Sequence, residues 1–192
     1  MMNNQSLIIA EKIAYKINDK KLFHNLSFYV NKGEALHICG SNGSGKSTLI
    51  RIILGITSQT KGNFNYGNTK KICYLGHKNA LKSYLSVADN LILLDLDDHI
   101  ELDPYLKKLE LKELLDITVA NLSFGQQKKL ALLRIFLNDS DLIILDEPFV
   151  GLDKKTLDLV IDFLAKELDA KKGIIYTSHI HCEIESKILN LE

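Results

Sequence analysis

The sequence predicts an α/β fold with a mostly parallel core sheet, and three observations support that prediction. After residue 34, short apolar runs of strand character alternate with segments whose apolar residues recur at helical spacing. The glycine-rich stretch 40–48 lies between one such strand and one such helix. A later apolar run, 142–145, ends abruptly in two carboxylates, Asp146 and Glu147. Because ligands gather where parallel strands end, both features are expected at one edge of the sheet.

The stretch 40–48 has the spacing of a phosphate-binding loop, G-x-x-x-x-G-K-[ST]. Glycines let successive backbone N–H groups point inward, and the following helix adds its positive N-terminal end. Lys46 would reach the β- and γ-phosphates, and the Ser47 hydroxyl would bind Mg²⁺. The alternative is a glycine-rich turn with a lysine that binds nothing. The predicted phosphate-binding residues are Gly40, Ser41, Asn42, Gly43, Ser44, Gly45, Lys46, Ser47 and Thr48.

The two carboxylates after the strand 142–145 suit the second half of this chemistry. Asp146 would hold Mg²⁺ through a water, and Glu147 would accept a proton from the attacking water or orient it. A metal beside a triphosphate stabilises one anion far more than its neighbour, so adjacent carboxylates can take different roles. Alone, an Asp-Glu pair is weak evidence; together with the phosphate loop it predicts a nucleoside triphosphatase.

Length and composition limit the other possibilities. A chain of 192 residues allows one substantial core, and its 24 basic and 24 acidic side chains give no basic excess for nucleic acid. No apolar run approaches the ~20 residues of a membrane helix, and the first residues do not resemble a signal peptide. We therefore expect a cytosolic protein that reaches a membrane only through a partner.

The N-terminal part of the chain predicts an antiparallel hairpin of residues 7–17 and 22–30 around the turn 18–21. Tyr15 would either stack on an adenine ring or pack in the core. Short strands are expected at 62–67 and 71–75. From residue 86 to about 120 the spacing becomes helical, and the acidic run inside it is interpreted as a solvated face rather than a calcium loop.

The C-terminal part continues the alternation of helices and strands. Ser123 and Gln126 form a capping-box pattern at the start of a helix to Leu137. A helix at 154–170, a buried strand at 174–177 and an edge strand at 187–191 should follow. The three cysteines are interpreted as buried reduced thiols, and the cluster of His179, His181 and Cys182 as a strand end rather than a metal site.

Three further motifs resemble those of ATP-binding-cassette (ABC) ATPases. The segment LSFGQ at 122–126 resembles their signature, GLD at 151–153 is similar to their D-loop, and TSH at 177–179 to their switch histidine. The resemblance implies one ABC domain over residues 1–192. It also implies a P-loop NTPase fold with a mostly parallel core sheet, an N-terminal antiparallel β subdomain and a helical insertion at about 78–121. ATP and Mg²⁺ are the implied cofactors.

The same resemblance implies an active site shared between two chains. The signature residues Ser123, Gly125 and Gln126 would close over ATP bound to a second cassette in a head-to-tail dimer, with Asp153 also near nucleotide. His179 would hydrogen-bond the γ-phosphate and the attacking water.

Three positions depart from the usual ABC pattern. Phe124 stands where glycine is commonest, and His77 stands where most members have a glutamine that touches Mg²⁺ and water. We keep a catalytic contact of His77 as a hypothesis, because histidine also hydrogen-bonds water. The adenine-stacking aromatic of the family aligns closer to Ile17 than to Tyr15.

A narrower resemblance comes from YLGHKNALK at 74–82, LSVADNL at 85–91 and the doubled glutamine and basic pair after the signature. These segments are similar to the ATPases of haem exporters in cytochrome c maturation. That likeness implies transmembrane permease subunits like CcmB and CcmC as partners, and only indirect contact with haem. It also implies a peripheral location on the cytoplasmic side of the inner membrane, with a coupling groove near residues 77–88.

Four alternatives remain at this stage. They are another small exporter ATPase, a soluble ABC ATPase of translation or DNA repair, a nucleotide-gated module that hardly hydrolyses, and a P-loop kinase. The short neutral chain disfavours the second, Glu147 and His179 disfavour the third, and the signature disfavours the fourth.

Overall fold

The computed structural model describes residues 5–18, 20–67, 69–180 and 182–191. Eight strands and five α-helices are assigned in these ranges. The strands are β1 Ser6–Ile17, β2 Lys20–Asn31, β3 Ala35–Cys39, β4 Lys61–Asn65, β5 Ile72–Leu75, β6 Leu142–Asp146, β7 Gly173–Thr177 and β8 Lys187–Asn190. The helices are α1 Lys46–Ile53, α2 Val87–Leu93, α3 Leu102–Lys108, α4 Phe124–Phe136 and α5 Lys154–Asp169.

A five-stranded parallel sheet forms the centre of the molecule, in the order β5-β6-β7-β3-β8. Every residue of β6 and β7 is buried, as expected for strands covered on both faces. Their register pairs Asp146 with Thr177, so the two strands end side by side. β8 lies at the edge of the sheet, as its sequence pattern predicts. The predicted α/β class with a parallel core sheet is confirmed.

A second sheet has three antiparallel strands in the order β2-β1-β4. In the chain, β1 and β2 precede the phosphate loop and β4 follows it. The predicted hairpin is confirmed, with its strands slightly longer than the pattern suggests. Asp19 of the predicted turn lies outside the described residues, whereas its neighbour Asn18 has a left-handed φ of 52°. Such a conformation suits asparagine in a tight turn.

The predicted helical segment 86–120 contains the short helices α2 and α3 and two 3₁₀ turns, Lys112–Leu114 and Val119–Asn121. Ser86 caps α2 in a capping box with Asp89, which ends the preceding loop. In the acidic run, Asp103 pairs with Lys107 and Lys112, both contacts being 2.6 Å. Lysine side chains therefore neutralise the charge of Asp103 at the surface.

Two apolar clusters hold these layers together. One joins α2, α3, α4 and α5 to the parallel sheet, and the other joins α1 to the same sheet and to the antiparallel strands. Ile143 and Ile144, neighbours on β6, face opposite sides and belong to different clusters. Both are fully buried, and each such side chain contributes about 1.5–3 kcal/mol by leaving water. β6 is thus fixed from both faces, which fixes the position of the carboxylates at its end.

Candidate nucleotide-binding site

A cleft of about 590 Å³ opens at the carboxyl edge of the parallel sheet. Its size is that of a pocket for a small ligand such as a nucleotide. The lining residues come from the hairpin, the phosphate loop, the ends of β5 and β6 and the segment after β7. They are Ile17, Leu22, Asn42, Gly43, Gly45, Lys46, Ser47, Thr48, His77, Asp146, Glu147, Val150 and His179.

The loop 40–45 needs glycine for two separate reasons. Gly45 has a φ of 106° and precedes the first residue of α1, and a Cβ there would lie 3.2 Å from the Phe23 ring. Gly40 has a φ of 142°, and a Cβ there would lie 2.6 Å from Ser44 Oγ. Because Gly45 has no side chain to cap α1, the first-turn N–H groups remain available to an anion at the cleft.

Lys46 lies at the base of the loop. Its Nζ donates to the carbonyl oxygens of Gly40 at 2.7 Å and Ser41 at 3.1 Å. An ammonium group has three N–H donors, so one remains for a phosphate oxygen. Ser44 Oγ is buried and has no hydrogen-bond partner within the described part of the chain. A buried hydroxyl without a partner fits a site that receives hydrogen-bonding ligand atoms.

Asp146 and Glu147 form the opposite wall of the cleft. Asp146 is 4% exposed, and its Oδ1 accepts a 2.7 Å hydrogen bond from the Thr177 hydroxyl on the neighbouring strand. Glu147 has a left-handed φ of 52°, and its N–H donates to the same Thr177 Oγ1 at 3.0 Å. Thr177 thus ties the end of β7 to both acidic residues, which keeps them at the sheet edge.

The Glu147 carboxylate faces His179. The His179 N–H donates to Glu147 Oε2 at 3.3 Å, and the His179 Nε2 lies 3.4 Å from Glu147 Oε1. Glu147 Oε1 is buried and has no hydrogen-bond partner among the described residues, so its approach to His179 is an electrostatic contact. A buried carboxylate oxygen with unused acceptor capacity can take a proton from a water in the cleft.

His77 follows β5 and lines the same cleft with an exposed side chain. Its position beside Asp146 and Glu147 allows contact with the reacting end of a bound ligand. The cleft therefore brings together the three residues that the sequence predicts as catalytic.

Three apolar side chains, Ile17, Leu22 and Val150, also line the cleft. Tyr15 does not line it; its ring lies 6.3 Å from that of Phe23 and packs against the core. Of the two interpretations of Tyr15, the geometry favours core packing, because its ring packs against the buried cluster while the cleft edge falls at Ile17. Ile17 is 50% exposed and offers a branched aliphatic surface rather than an aromatic face.

Replacing Ile17 with tyrosine is expected to tighten ATP binding. An aromatic side chain stacks on a base with about 1–3 kcal/mol, whereas isoleucine offers only apolar contact, so we expect a several-fold lower Kd. Calorimetric titration with ATP measures the change, and a titration with ribose triphosphate, which lacks the base, is the control. An equal gain for both ligands, or no gain for ATP, would contradict a base contact at residue 17.

The signature residues lie at the start of α4 and do not line this cleft. Ser123 Oγ accepts from the Gln126 N–H at 3.2 Å, and Gln126 Oε1 accepts from the Ser123 N–H at 2.8 Å, so the predicted capping box is confirmed. Phe124 is 60% exposed, and a Cβ on Gly151 would lie 2.3 Å from its ring. Gly125 and Gln126 follow on the same turn. A ligand for these residues must therefore come from outside the chain's own cleft.

Asp153 lies next to the signature and caps α5. Its Oδ1 accepts from the Thr156 N–H at 2.8 Å, and its Oδ2 pairs with Lys129 Nζ at 2.8 Å. Hydrogen bonding from Lys129, followed by that from Thr156, lowers the pKa of Asp153 well below its ordinary value. The D-loop is thus anchored to the signature helix.

Sequence reasoning missed two side chains that hold Glu147. One is Thr177, and the other is Lys128, which is 2% exposed and donates from Nζ to the Glu147 carbonyl oxygen at 3.2 Å. The sequence does indicate that Lys128 is buried, because it lies three residues before Ala131 and seven before Ile135, on the buried face of α4. A lysine on such a face needs a polar partner.

The cysteines and the histidine cluster near residue 180 are the other features that the sequence singles out. The three cysteines are free but half-buried, and burial raises the pKa of the Cys73 thiol to about 11. In the described ranges, no three His, Cys, Asp or Glu side chains come together as a metal-binding group, and His181 lies outside those ranges. Within the described chain, no helix is long and apolar enough to cross a membrane.

Comparison with known proteins decides the family. The sequence pattern of the family described as ABC transporter matches residues 23–150, which include the phosphate loop, the signature and the two carboxylates. The chain belongs to the ABC transporter family. The ABC family match makes it an ATP-hydrolysing protein, in agreement with the cleft described above.

Two curated relatives show how far the likeness extends. This ABC protein is 35% identical over 92% of its length to the cytochrome c biogenesis ATP-binding export protein CcmA of Idiomarina loihiensis, of which it covers 87%. It is 31% identical over 91% of its length to the protein of the same name from Shewanella oneidensis, of which it also covers 87%.

Solved structures of ABC proteins share its fold. A metal-chelate type ABC transporter in an inward-facing conformation aligns with a TM-score of 0.76 and 26% identity, over 97% of this chain and 80% of that one. A dimeric ATP-binding cassette bound to ADP and Pi after hydrolysis aligns with a TM-score of 0.73 and 23% identity, over 90% of this chain and 88% of that one.

Proposed function

We propose that this ABC protein is the ATPase subunit of a membrane complex that moves or releases haem during cytochrome c maturation. The observation that carries the proposal is its match, along about nine tenths of its length, to cytochrome c biogenesis export proteins. The segment 74–91, which begins at the end of β5 and resembles those proteins, contains His77 at the cleft and the exposed side chain of Tyr84. Haem itself contacts the partner subunits, not this chain.

The assembly that follows from this proposal has two ABC chains and two kinds of surface. Transmembrane subunits like CcmB and CcmC would dock on segment 77–88, which would hold the ATPase on the cytoplasmic side of the inner membrane. A second cassette would meet the signature face, where Ser123, Gly125 and Gln126 are not used by the chain's own cleft. A dimeric fold neighbour bound to ADP and Pi supports the second contact.

Mg²⁺ suits the oxygen donors at the phosphate end of the cleft. The Ser47 hydroxyl and the Asp146 carboxylate are hard oxygen ligands, and the Thr177 hydrogen bond leaves Asp146 with unused lone pairs. The unpartnered Ser44 Oγ and Glu147 Oε1 in the described chain are further acceptors near the triphosphate position. When bound, Mg²⁺ neutralises charge on the β- and γ-phosphate oxygens.

The residues of the cleft divide the hydrolysis between them. The loop N–H groups and Lys46 Nζ bind the phosphates, and Ile17 and Leu22 contact the base. Glu147 takes a proton from the water that attacks the γ-phosphorus, while the bond to the bridging oxygen breaks to give ADP and phosphate. His179, placed beside Glu147, hydrogen-bonds the γ-phosphate and keeps the water in line. His77 contacts the same water from the end of β5.

Complementation tests the haem assignment. In a bacterium whose own CcmA has been deleted, we expect this protein, expressed with its cognate membrane subunits, to restore covalently bound haem in cytochromes c. The measurement is haem staining of denatured cytochromes, with affinity purification of the tagged chain to identify the membrane subunits. A Glu147→Gln variant is the matched control and should not restore the stain. Co-purification with an unrelated permease, and no restored cytochrome, would instead identify another exporter ATPase.

A further inference from the structure

Glu147 has a backbone conformation that must be held by its surroundings. Its φ of 52° lies in the left-handed region, which side chains with a Cβ adopt at a cost in free energy. The residue follows the last residue of β6, where the extended backbone would otherwise continue. Relaxation of φ would turn the carboxylate away from His179. The left-handed conformation therefore strains the backbone, but it is needed to keep the Glu147 carboxylate facing His179.

Two hydrogen bonds from different elements hold the two backbone groups of Glu147. On one side its N–H donates to Thr177 Oγ1 at 3.0 Å, at the end of β7. On the other side its carbonyl oxygen accepts from Lys128 Nζ at 3.2 Å, in the second turn of α4. Thr177 is fully buried, and Lys128 is 2% exposed, so water does not compete for either bond. Both bonds act on the peptide groups that flank the left-handed residue.

Burial of the Lys128 ammonium group costs free energy unless the group makes a hydrogen bond or an ion pair. Burial lowers the pKa of Lys128, and the carboxylates of Asp146 and Glu147 oppose that shift. Among the described residues no carboxylate forms an ion pair with Lys128, and its Nζ donates instead to the Glu147 carbonyl oxygen. An apolar residue would satisfy this face of α4 at lower cost. The lysine is thus explained by the bond that it makes.

We propose that Lys128 is a positioning residue that, with Thr177, holds Glu147 in the left-handed conformation that aims its carboxylate into the cleft. The proposal rests on the role proposed for Glu147. Lys128 also lies on the helix that begins at Ser123, five residues earlier. About one and a half turns of α4 therefore connect Ser123, on the face proposed to meet a partner's ATP, with Lys128, which holds the proton acceptor Glu147. A shift of this helix would change the position of Glu147 directly.

Lys128→Met tests the proposal, because methionine fills a similar volume without a donor. We expect kcat for ATP hydrolysis to fall at least about tenfold, which corresponds to about 1.4 kcal/mol, with KM for ATP changed less than twofold. Lys128→Arg keeps a donor and should recover part of the loss. Lys172→Met, which removes a half-buried lysine paired with Glu167 far from the cleft, is the matched control and should leave kcat unchanged.

A measurement that needs no catalysis separates this proposal from the proposed function. Amide hydrogen exchange of the full chain, read by NMR, should show the Glu147 N–H exchanging at least about tenfold faster in Lys128→Met, because the peptide then leaves Thr177 more often. If Lys128→Met does not fold, Thr177→Val, which removes the acceptor but keeps the shape, should give the same increase.

The outcomes are distinct. Unchanged exchange at Glu147, unchanged kcat, or an equal loss in Lys172→Met would overturn the positioning role. If the unmodified chain, with its membrane subunits, hydrolyses no ATP, the proposed function fails instead, and the exchange result still decides whether Lys128 holds Glu147.

Discussion

Replacing Glu147 with glutamine is expected to lower ATP turnover by a factor on the order of 10² to 10³ while leaving ATP bound. Glutamine has nearly the same shape and can still accept from the His179 N–H, but its amide does not take a proton from water. It also removes a negative charge that faces the triphosphate, so affinity should not fall. Phosphate release at saturating ATP and Mg²⁺ measures the first effect.

The same variant reports on the shared site. Since ATP would remain bound between two chains, size-exclusion chromatography with ATP and Mg²⁺ should show a dimer that disperses when the nucleotide is removed. Glu185→Gln, at an exposed position away from the cleft, is the control for a change of charge. Turnover within twofold of the unmodified chain would remove Glu147 from catalysis, and a monomer with ATP bound would contradict the composite site.

Replacing Lys46 with alanine is expected to weaken ATP binding roughly ten- to hundredfold. The loss of a charge-assisted hydrogen bond in a partly buried site costs about 1.5–3 kcal/mol, which gives that range. The variant also loses the two bonds from Nζ to Gly40 and Ser41, so the loop should become less ordered. Isothermal calorimetry with ATP measures the affinity.

The control for Lys46→Ala is Lys61→Ala, which removes an exposed lysine from β4 and should leave the Kd unchanged. A thermal melt without nucleotide should show similar Tm values for both variants, because the two hydrogen bonds from Lys46 Nζ go to carbonyl oxygens of its own loop. An unchanged Kd in Lys46→Ala would mean that the lysine does not reach the phosphates.

Much of the fold follows from local patterns in the sequence. The run 142–145 is apolar at every position because both faces of β6 are covered, and that pattern predicts a central strand without any knowledge of its neighbours. The capping box at Ser123 and the hairpin 7–30 are also determined within a few residues. Such features were predicted with nearly the observed bounds.

The helical segment was predicted less well. Its apolar spacing indicates helix from 86 to 120, whereas the structure has two seven-residue helices and two 3₁₀ turns there. Left-handed backbone positions give one reason, since Asp95 with a φ of 57° and Glu110 with a φ of 61° directly follow the last turns of α2 and α3. Glycine or asparagine usually marks such a helix end, so an aspartate and a glutamate there leave little signal in the sequence.

The sequence by itself determined the chemistry of this protein: a phosphate loop, two carboxylates after a buried strand, a signature at a helix start and a histidine after the last central strand. Each of these motifs is short, and the residues that identify its chemistry lie within a few positions of one another. Only the tertiary structure decided how Glu147 is held, because Lys128 and Thr177 lie 19 and 30 residues away in the chain. It likewise decided between the two interpretations of Tyr15, because the packing of its ring against the core depends on how the antiparallel strands and α1 come together.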